Sequence, residues 1–432
     1  MKLIDGIAVS IRESALRNRI QDPVLVGLSG GADSVALLCA LARSRENGMH
    51  ISAVHVDHGL RESSANDAAF CRKLCRELDV PLKVIRVSVP GEGSVEAAAR
   101  EARYNAFHDA MKELNADTLV LAHHADDQAE TVLMHLLYGT GTGGLSGMRE
   151  YKTPVWRPLL GYRHAELETA LQEIGQAWCE DETNSDTAYT RNYIRHCVMP
   201  QIEKAYPQAV RSISRTANVL QCEDDWIQQQ ADEWLAVHGS KGAFHFIEMP
   251  AFVTLHTALQ RRILLTYASL LGLHLEFSHV EKLRNAVRNR KKVNLPGGWH
   301  ASAGSERMHF IPPFRGKVSW DKSAVRTEPL ADNFGDGLLM QAAPAGILER
   351  AVIRTRRAGD RITPYGMTGS MKLKDYFISR GVEQPFRDGW PLLCEGSEVL
   401  WVIGVGASQL LDVKDSDRAV MLHFIEKLPD SL

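Results

Sequence analysis

A chain of 432 residues exceeds one ordinary hydrophobic core, so two or three domains are expected. With 44% hydrophobic and 24% charged residues the composition is that of a globular protein and excludes collagen-like or disordered classes. Fifty basic against fifty-three acidic residues give a net charge of −3, so no bulk field draws the molecule to nucleic acid, and any RNA contact has to come from local patches. Seven scattered cysteines without a C-x-x-C pair read as reduced thiols, neither a disulfide framework nor a zinc site. Cys71 and Cys75, four apart on a predicted helix, read as apolar packing. The start of the chain lacks a signal-like apolar core and the apolar run 399–407 is too short to span a bilayer, so a soluble, cytoplasmic protein with no membrane partner is expected.

Apolar runs at 24–28, 51–56, 82–89 and 118–122 are candidate buried strands, separated by helical patterns at 35–42, 66–78 and 95–113. The alternation predicts an α/β fold, a parallel sheet covered on both faces with ligands at the carboxyl ends of its strands. At one such end lies Ser29-Gly30-Gly31-Ala32-Asp33-Ser34. A glycine turn entering a helix aims backbone N–H groups at one spot, which suits phosphate, and the two serines add hydroxyl donors. Asp33 beside phosphates calls for a cation, and magnesium fits. The Walker A lysine is missing, so this is not an ordinary kinase or GTPase loop.

The second strand ends in His55, Asp57 and His58, which read either as a metal group lacking a third ligand or as a strand edge lining a nucleotide. The alanine-rich helix at 94–113, with Ser94 as its cap and Glu96 in its first turn, carries Arg100 and Arg103 on one face, either solvated or presented to a ligand. Ala122-His123-His124-Ala125-Asp126-Asp127-Gln128-Ala129-Glu130-Thr131 closes a strand and opens a helix. Asp127 lies three residues from both His124 and Glu130, gathering two carboxylates and an imidazole on one face, which suits magnesium or a substrate ammonium. The following Gly139 to Met148 stretch is too glycine-rich for regular structure and reads as a linker or a mobile loop at the site. After Trp156-Arg157-Pro158-Leu159-Leu160 a helix begins at His164, and the polar stretch Asp181-Glu182-Thr183-Asn184-Ser185-Asp186 leads to Arg191 and Arg195, four apart and able to present cations to phosphates.

In order, the SGGADS loop, EARYNAF at 101–107, AHHADDQAETVLM at 122–134, GTGTGGLSGM, WRPLL and DETNSD…RNYIRH resemble the catalytic domain of the tRNA(Ile)-lysidine synthetase family, a branch of the PP-loop ATP pyrophosphatases, over about the first 200 residues. The resemblance implies an N-terminal Rossmann-like PP-loop domain at 1–205, a mostly helical middle domain at 206–330 that contacts tRNA, and a small α+β C-terminal domain at 331–432 that binds it. It implies a ligase that uses ATP and magnesium to join L-lysine to C2 of the wobble cytidine of a tRNA(Ile) with a CAU anticodon through an adenylated base, and a homodimer by analogy. Ser29, Gly30, Gly31, Ala32, Asp33 and Ser34 would hold ATP, with the backbone near Ala53 and His55 lining the adenine pocket. Asp33, Arg103, Asp127 and Arg195 would be catalytic, Asp33 and Asp127 would hold magnesium, and Asp127 and Glu130 would orient the lysine ammonium.

The rest of the chain extends the resemblance. Residues 205–234 read as helical with a break near Pro207, and further helices are expected at 258–271 and 279–290, the second strongly basic and either solvated or on RNA. Residues 293–299 read as a strand entering a turn, and the polar stretch 312–334 as a domain boundary. Within 351–380 stand Arg354, Arg356, Arg357, Arg361, Lys372, Lys374 and Arg380 against Asp360 and Asp375, a local basic patch suited to phosphates. Arg354, Arg357, Lys372 and Lys374, with Arg191, are the candidate RNA contacts. Met371 departs from the family by standing where relatives carry another lysine. A tRNA 2-thiolase on the same loop would need a sulfur-carrying cysteine motif, an amidotransferase would leave the basic half without a role, and a non-catalytic RNA-binding protein would not need both Asp33 and Asp127.

Overall fold

The computed structural model describes residues 2–44, 48–57, 64–87, 95–180, 190–240, 245–289, 292–303, 306–311, 325–329, 340–344, 346–367, 369–380, 382, 384–403, 405–413 and 419–424. The chain forms two compact units, Met1–Trp226 and Ile227–Leu432. Among the described residues no helix is long and apolar enough to cross a membrane.

The first unit runs α1 (Leu3–Asn18), β1 (Val24–Gly27), α2 (Ala32–Ser44), β2 (Ile51–Asp57), α3 (Ser64–Glu77), β3 (Leu82–Arg86), α4 (Val95–Glu113), β4 (Thr118–Val120), α5 (Ala125–Tyr138), α6 (Thr142–Leu145), β5 (Tyr151–Lys152), β6 (Val155–Trp156), α7 (His164–Glu173), α8 (Thr190–Tyr193), a π-helical turn (Ile194–Val198), α9 (Met199–Ala205) and α10 (Ala209–His238), within which the unit boundary falls. Its sheet has the order β3-β2-β1-β4-β6-β5, parallel except for β5. Because strand side chains alternate between faces, Val24 and Val26 of β1 pack with α1, α2 and α7, while Leu25 packs with Phe107 and Ala110 of α4. Both faces are therefore buried, as the unbroken apolar strand sequences require. Chain direction across the sheet reverses between β1 and β4, so the loops leaving these two strands flank the crevice where such sheets bind ligands. Cys71 and Cys75 pack in this core, where burial pushes their thiols up to about 12 and about 11.

One expectation is corrected here. The glycine-rich stretch after α5 is not free of regular structure, since Thr142–Leu145 form a helical turn. It is pinned on several sides: Thr142 Oγ1 donates to Asp224 (3.0 Å), Gln221 donates to the Ser146 carbonyl (2.7 Å), and Gln128 exchanges two hydrogen bonds with the Met148 backbone (2.7 and 2.9 Å). A Cβ on Gly147, which has φ +62°, would meet the Gln128 side chain at 2.7 Å, so the glycine there permits this clamp.

The second unit continues with β7 (His245–Glu248), α11 (Met249–Val253), α12 (Thr257–Leu270), α13 (Phe277–Asn289), β8 (Lys292–Asn294), β9 (His300–Ala303), β10 (Arg307–Ile311), β11 (Val325–Pro329), β12 (Met340–Pro344), α14 (Ile347–Arg350), β13 (Val352–Arg354), β14 (Arg361–Ile362), β15 (Met371–Lys372), α15 (Leu373–Ser379), β16 (Leu392–Glu395), β17 (Glu398–Val402), β18 (Gly406–Ala407) and β19 (Ala419–Phe424). The helical middle part carries an antiparallel sheet β7-β10-β9-β8 whose apolar face packs on α12 and α13. The strand expected near residue 293 is its edge. A second core holds Tyr376 and Phe377 of α15 against Leu392, Val399 and Val402, giving the small α+β C-terminal part. The boundary expected at 330 lies outside the described residues.

Candidate active site

The loop after β1 closes on the Ser34 hydroxyl. Its oxygen accepts the N–H groups of Ser29 and Gly30 (both 3.2 Å) and donates to the Gly31 carbonyl (3.0 Å), while Ser29 Oγ lies 3.1 Å away. Gly30 has φ +97°, and a Cβ there would touch Cys71 Sγ at 3.4 Å and Cys179 Sγ at 3.5 Å. Gly30→Ala is expected to weaken ATP binding by about tenfold through backbone strain of about 1–3 kcal/mol, measured by nucleotide titration; unchanged affinity would show the loop tolerates a side chain. Ala53 and His55 lie buried on β2, and His55 Nδ1 is 2.9 Å from the Leu28 carbonyl and 3.5 Å from Cys71 Sγ. The His55 side chain thus braces the strand leading into the loop.

Asp33 opens α2 and faces two imidazoles: His164 Nδ1 at 2.7 Å from Oδ1 and His124 Nε2 at 3.6 Å from Oδ2. His124 caps α5. Its backbone N–H donates to Asp127 Oδ2 (3.1 Å), and the Asp127 N–H points at its Nδ1 (3.3 Å). Burial opposes charge on His124, yet Asp126, Asp127 and Asp33 together hold its pKa above the ordinary value. Asp126, the second acid of the helix start, serves the neighbouring helix instead. It accepts from Arg163 Nε (2.8 Å) and the His164 N–H (2.9 Å), fixing the start of α7 beside the loop.

Asp127 and Glu130 are buried, and two arginines meet them. Asp127 Oδ1 accepts from Arg191 Nη2 (3.0 Å) and Arg195 Nη2 (2.8 Å); Glu130 accepts from Arg195 Nε at Oε1 (2.6 Å) and from Arg191 Nε (2.9 Å) and Arg195 Nη2 (3.0 Å) at Oε2. Ile194, Val198 and Met199 pack on Ala125 and Ala129, which sets the π-helical turn against α5 and holds the arginines over the acids. Burial alone would raise the Asp127 pKa; His124, Arg191, His123 and Arg195 outweigh it and hold the carboxyl below its usual range. Two charges of each sign balance in a closed network.

The structure brings together five of the site residues named from sequence: Asp33, Asp127, Glu130, Arg191 and Arg195. Arg103 lies on an exposed face of α4. Sequence reasoning gave no role to His164, Asp126 or Arg157. Arg157 is half-buried, and among the described residues its Nε and His123 Nδ1 have no hydrogen-bond partner. Burial, with Arg157, Arg191 and Arg100 nearby, pushes His123 down to about 4 against the pull of Asp127, so this flank is a neutral imidazole among cations. Ser94, His58 and the stretch 181–186 lie outside the described residues, and Glu96 falls in the first turn of α4.

As to magnesium, the donors divide. Asp33 fits, since this ion takes one or two carboxylates and completes its shell with phosphates and water. Asp127 fits less well, because both its oxygens already accept hydrogen bonds.

In the C-terminal part, Arg354 is buried and forms a two-pronged pair with Asp360 (both 2.8 Å) while donating to the Gly396 carbonyl (2.7 Å). The sequence expectation of an RNA contact is corrected for this residue: its guanidinium ties β13 to the 357–360 turn. Arg357, Lys372 and Lys374 are exposed. Arg361 and Lys372 stand directly opposite each other across β14 and β15, a like-charge pair that disfavours the sheet and that a bound anion would relieve.

A parallel sheet with a glycine loop at its reversal point and a charged cluster on the adjoining helix defines an α/β protein of the class that binds ligands at the carboxyl ends of its strands. The PP-loop domain model matches residues 8–202 and the TilS substrate C-terminal domain model matches 351–424. A tRNA(Ile)-lysidine synthase of Porphyromonas gingivalis is 31% identical over 98% of this chain and 99% of its own, and one of Chromobacterium violaceum is 34% identical over 89% and 91%. One of Thermus thermophilus is 34% identical over 92% of this chain and 71% of its own. The chain belongs to the tRNA(Ile)-lysidine synthase family.

Proposed function

We propose that this chain is an ATP-dependent ligase that forms lysidine on tRNA(Ile), joining the ε-amine of L-lysine to C2 of the wobble cytidine of a CAU anticodon. The observation that carries the reading is the buried Asp127–Glu130–Arg191–Arg195 network, joined through His124 to Asp33 of the phosphate loop. In the first step cytidine O2 attacks the α-phosphorus of ATP, the O2–P bond forms and pyrophosphate leaves. In the second, the lysine amine attacks C2, the C2–O2 bond breaks, AMP leaves with O2, and the amine loses its protons to water or a neighbouring carboxylate.

The loop 29–34 would hold the outgoing pyrophosphate, with Ala53 and His55 beside the adenine. Magnesium, when bound, offsets phosphate charge, and Asp33 would hold it. Asp127 and Glu130 form a dianionic seat for the lysine ammonium, which can enter only by taking oxygens now held by Arg191 and Arg195. A guanidinium so released is free to neutralise phosphate, the role we give Arg195 together with Arg103. RNA-dependent ATP cleavage yielding AMP supports this reading; ADP as the product would overturn it.

We assign residues 1–205 to ATP chemistry, 206–330 to tRNA contact and 331–432 to tRNA binding, in a cytoplasmic enzyme that forms a homodimer by family analogy. Arg357, Lys372 and Lys374 supply the last role. Lys372→Ala and Lys374→Ala are each expected to weaken tRNA binding and to lower the slope of log affinity against log salt by about one, as read in filter-binding titrations. An unaltered slope would remove them from the RNA surface.

A further inference from the structure

We propose that Arg157 holds the α-carboxylate of the amino-acid substrate, so that lysine lies between this guanidinium and the Asp127–Glu130 pair; the inference rests on the reading of lysine as the substrate. β4 and β6 are parallel neighbours with Val120 opposite Trp156, and the Leu121 N–H donates to the Trp156 carbonyl (2.9 Å). His123 and Arg157 therefore follow the carboxyl ends of adjacent strands, on the edge of the sheet where ligands bind. Trp156 and Leu159, both fully buried, anchor the chain on either side of Arg157. Its N–H donates to the Glu150 carbonyl (2.7 Å) and its Nη1 to the Arg149 carbonyl (3.2 Å), so the guanidinium is fixed before a ligand arrives.

What this guanidinium lacks is an anion. Among the described residues Arg157 meets no carboxylate, and its buried Nε has no acceptor. Burial lowers its pKa from the ordinary arginine value; Tyr104 opposes this and Arg100 adds to it. Arg195 shows the contrast, since there Glu130 and Asp127 outweigh burial and raise the value. A buried guanidinium with an open N–H is costly until an oxyanion pairs with it, and the planar fork suits a carboxylate. His123 feels both Asp127 and Arg157, which gathers the acid pair and the open guanidinium around one imidazole. A free amino acid such as lysine is dipolar in the matching sense, with ammonium for the acids and carboxylate for the arginine. Because the open Nε is enclosed, a small ligand's carboxylate fits it better than a phosphodiester held within a polymer.

The test is equilibrium dialysis of the full chain with labelled L-lysine, tRNA and a non-hydrolysable ATP analogue present. The competitors are unlabelled lysine, L-lysinamide and cadaverine, which is lysine without its carboxylate. Lysine is expected to compete about 10–100-fold better than either analogue, the worth of one charge-assisted pair. Arg157→Met should bring lysine down to the level of the analogues while cadaverine binds as it does to the wild type. Arg157→Lys, which keeps the charge without the fork, should fall between the two, and it carries the test if a thermal melt shows R157M unfolded. Absence of lysine binding, equal competition by all three ligands in the wild type, or equal loss of lysine and cadaverine in a folded variant would each overturn the proposal. Normal lysine binding with weakened tRNA binding would overturn it too and give Arg157 to an RNA phosphate. Attachment of lysine to tRNA by a wild type that shows no carboxylate preference would sink this inference alone. A preference carried by Arg157 without attachment would sink the ligase reading alone.

Discussion

Asp127→Asn is expected to lower lysidine formation by about 10²–10³-fold while the fold survives, the magnitude set by losing one preorganised electrostatic contact in a desolvated site. The two residues share a shape, so packing on α5 is kept. The charge balance is not: Arg191 and Arg195 then face Glu130 alone, and an amide N–H₂ must point either at the guanidinium groups or at the His124 N–H, all of them donors. The seat for an ammonium ion loses half its charge. Lysine transfer measured beside a thermal melt separates the two effects. Near-normal transfer would remove Asp127 from lysine binding, and a collapsed melting temperature would make its role structural.

Arg354→Ala is expected to destabilise the second unit by about 3–5 kcal/mol, because it leaves a buried carboxylate without its counter-charge. The Asp360 side chain is 2% exposed and otherwise accepts only the Arg357 N–H (2.7 Å) among the bonds described. Burial alone would raise the Asp360 pKa; the Arg354 guanidinium and the Arg357 N–H outweigh it and hold the carboxyl below the usual carboxylate range. A carboxyl lowered by folding stabilises fully above its unfolded pKa, and the contribution fades as pH falls through the folded value. Denaturant melts should therefore show the wild type losing this contribution in acid below about pH 4, and R354A lacking it already at neutral pH. Arg357→Ala, at an exposed residue, should leave the melts unchanged. If R354A melts like the wild type and binds tRNA less well, Arg354 belongs to the RNA surface after all.

These two residues also mark how far the sequence can be read. Asp127 was legible because its partners His124 and Glu130 are three residues away, and helical spacing alone puts them on one face. The loop at Ser29 was legible for the same reason: strand, glycine turn and helix are contiguous, and the hydroxyl of Ser34 bonds within six residues. Arg191 and Arg195 could be placed on a common face, but their partners stand more than sixty positions away, and spacing says nothing about which acids they meet. Arg354 was misread because counting charges in a window cannot tell a buried pair from an exposed patch, although Asp360 lay in the same window. The glycine stretch was misread because its order comes from Gln128, Gln221 and Asp224, on helices it packs against. His164 carried no local signal; its meaning appears only when α7 sets it beside Asp33.

The central claim is that this site transfers lysine to RNA with cleavage of ATP at the α-phosphorus. The most direct measurement is incorporation of labelled lysine into an unmodified tRNA(Ile) transcript with a CAU anticodon, with AMP and ADP scored in the same reaction. One AMP formed for each lysine attached, with no ADP, is the predicted result. AMP without attached lysine would mean that another nucleophile uses the activated base, and absence of RNA-dependent AMP would contradict the account outright.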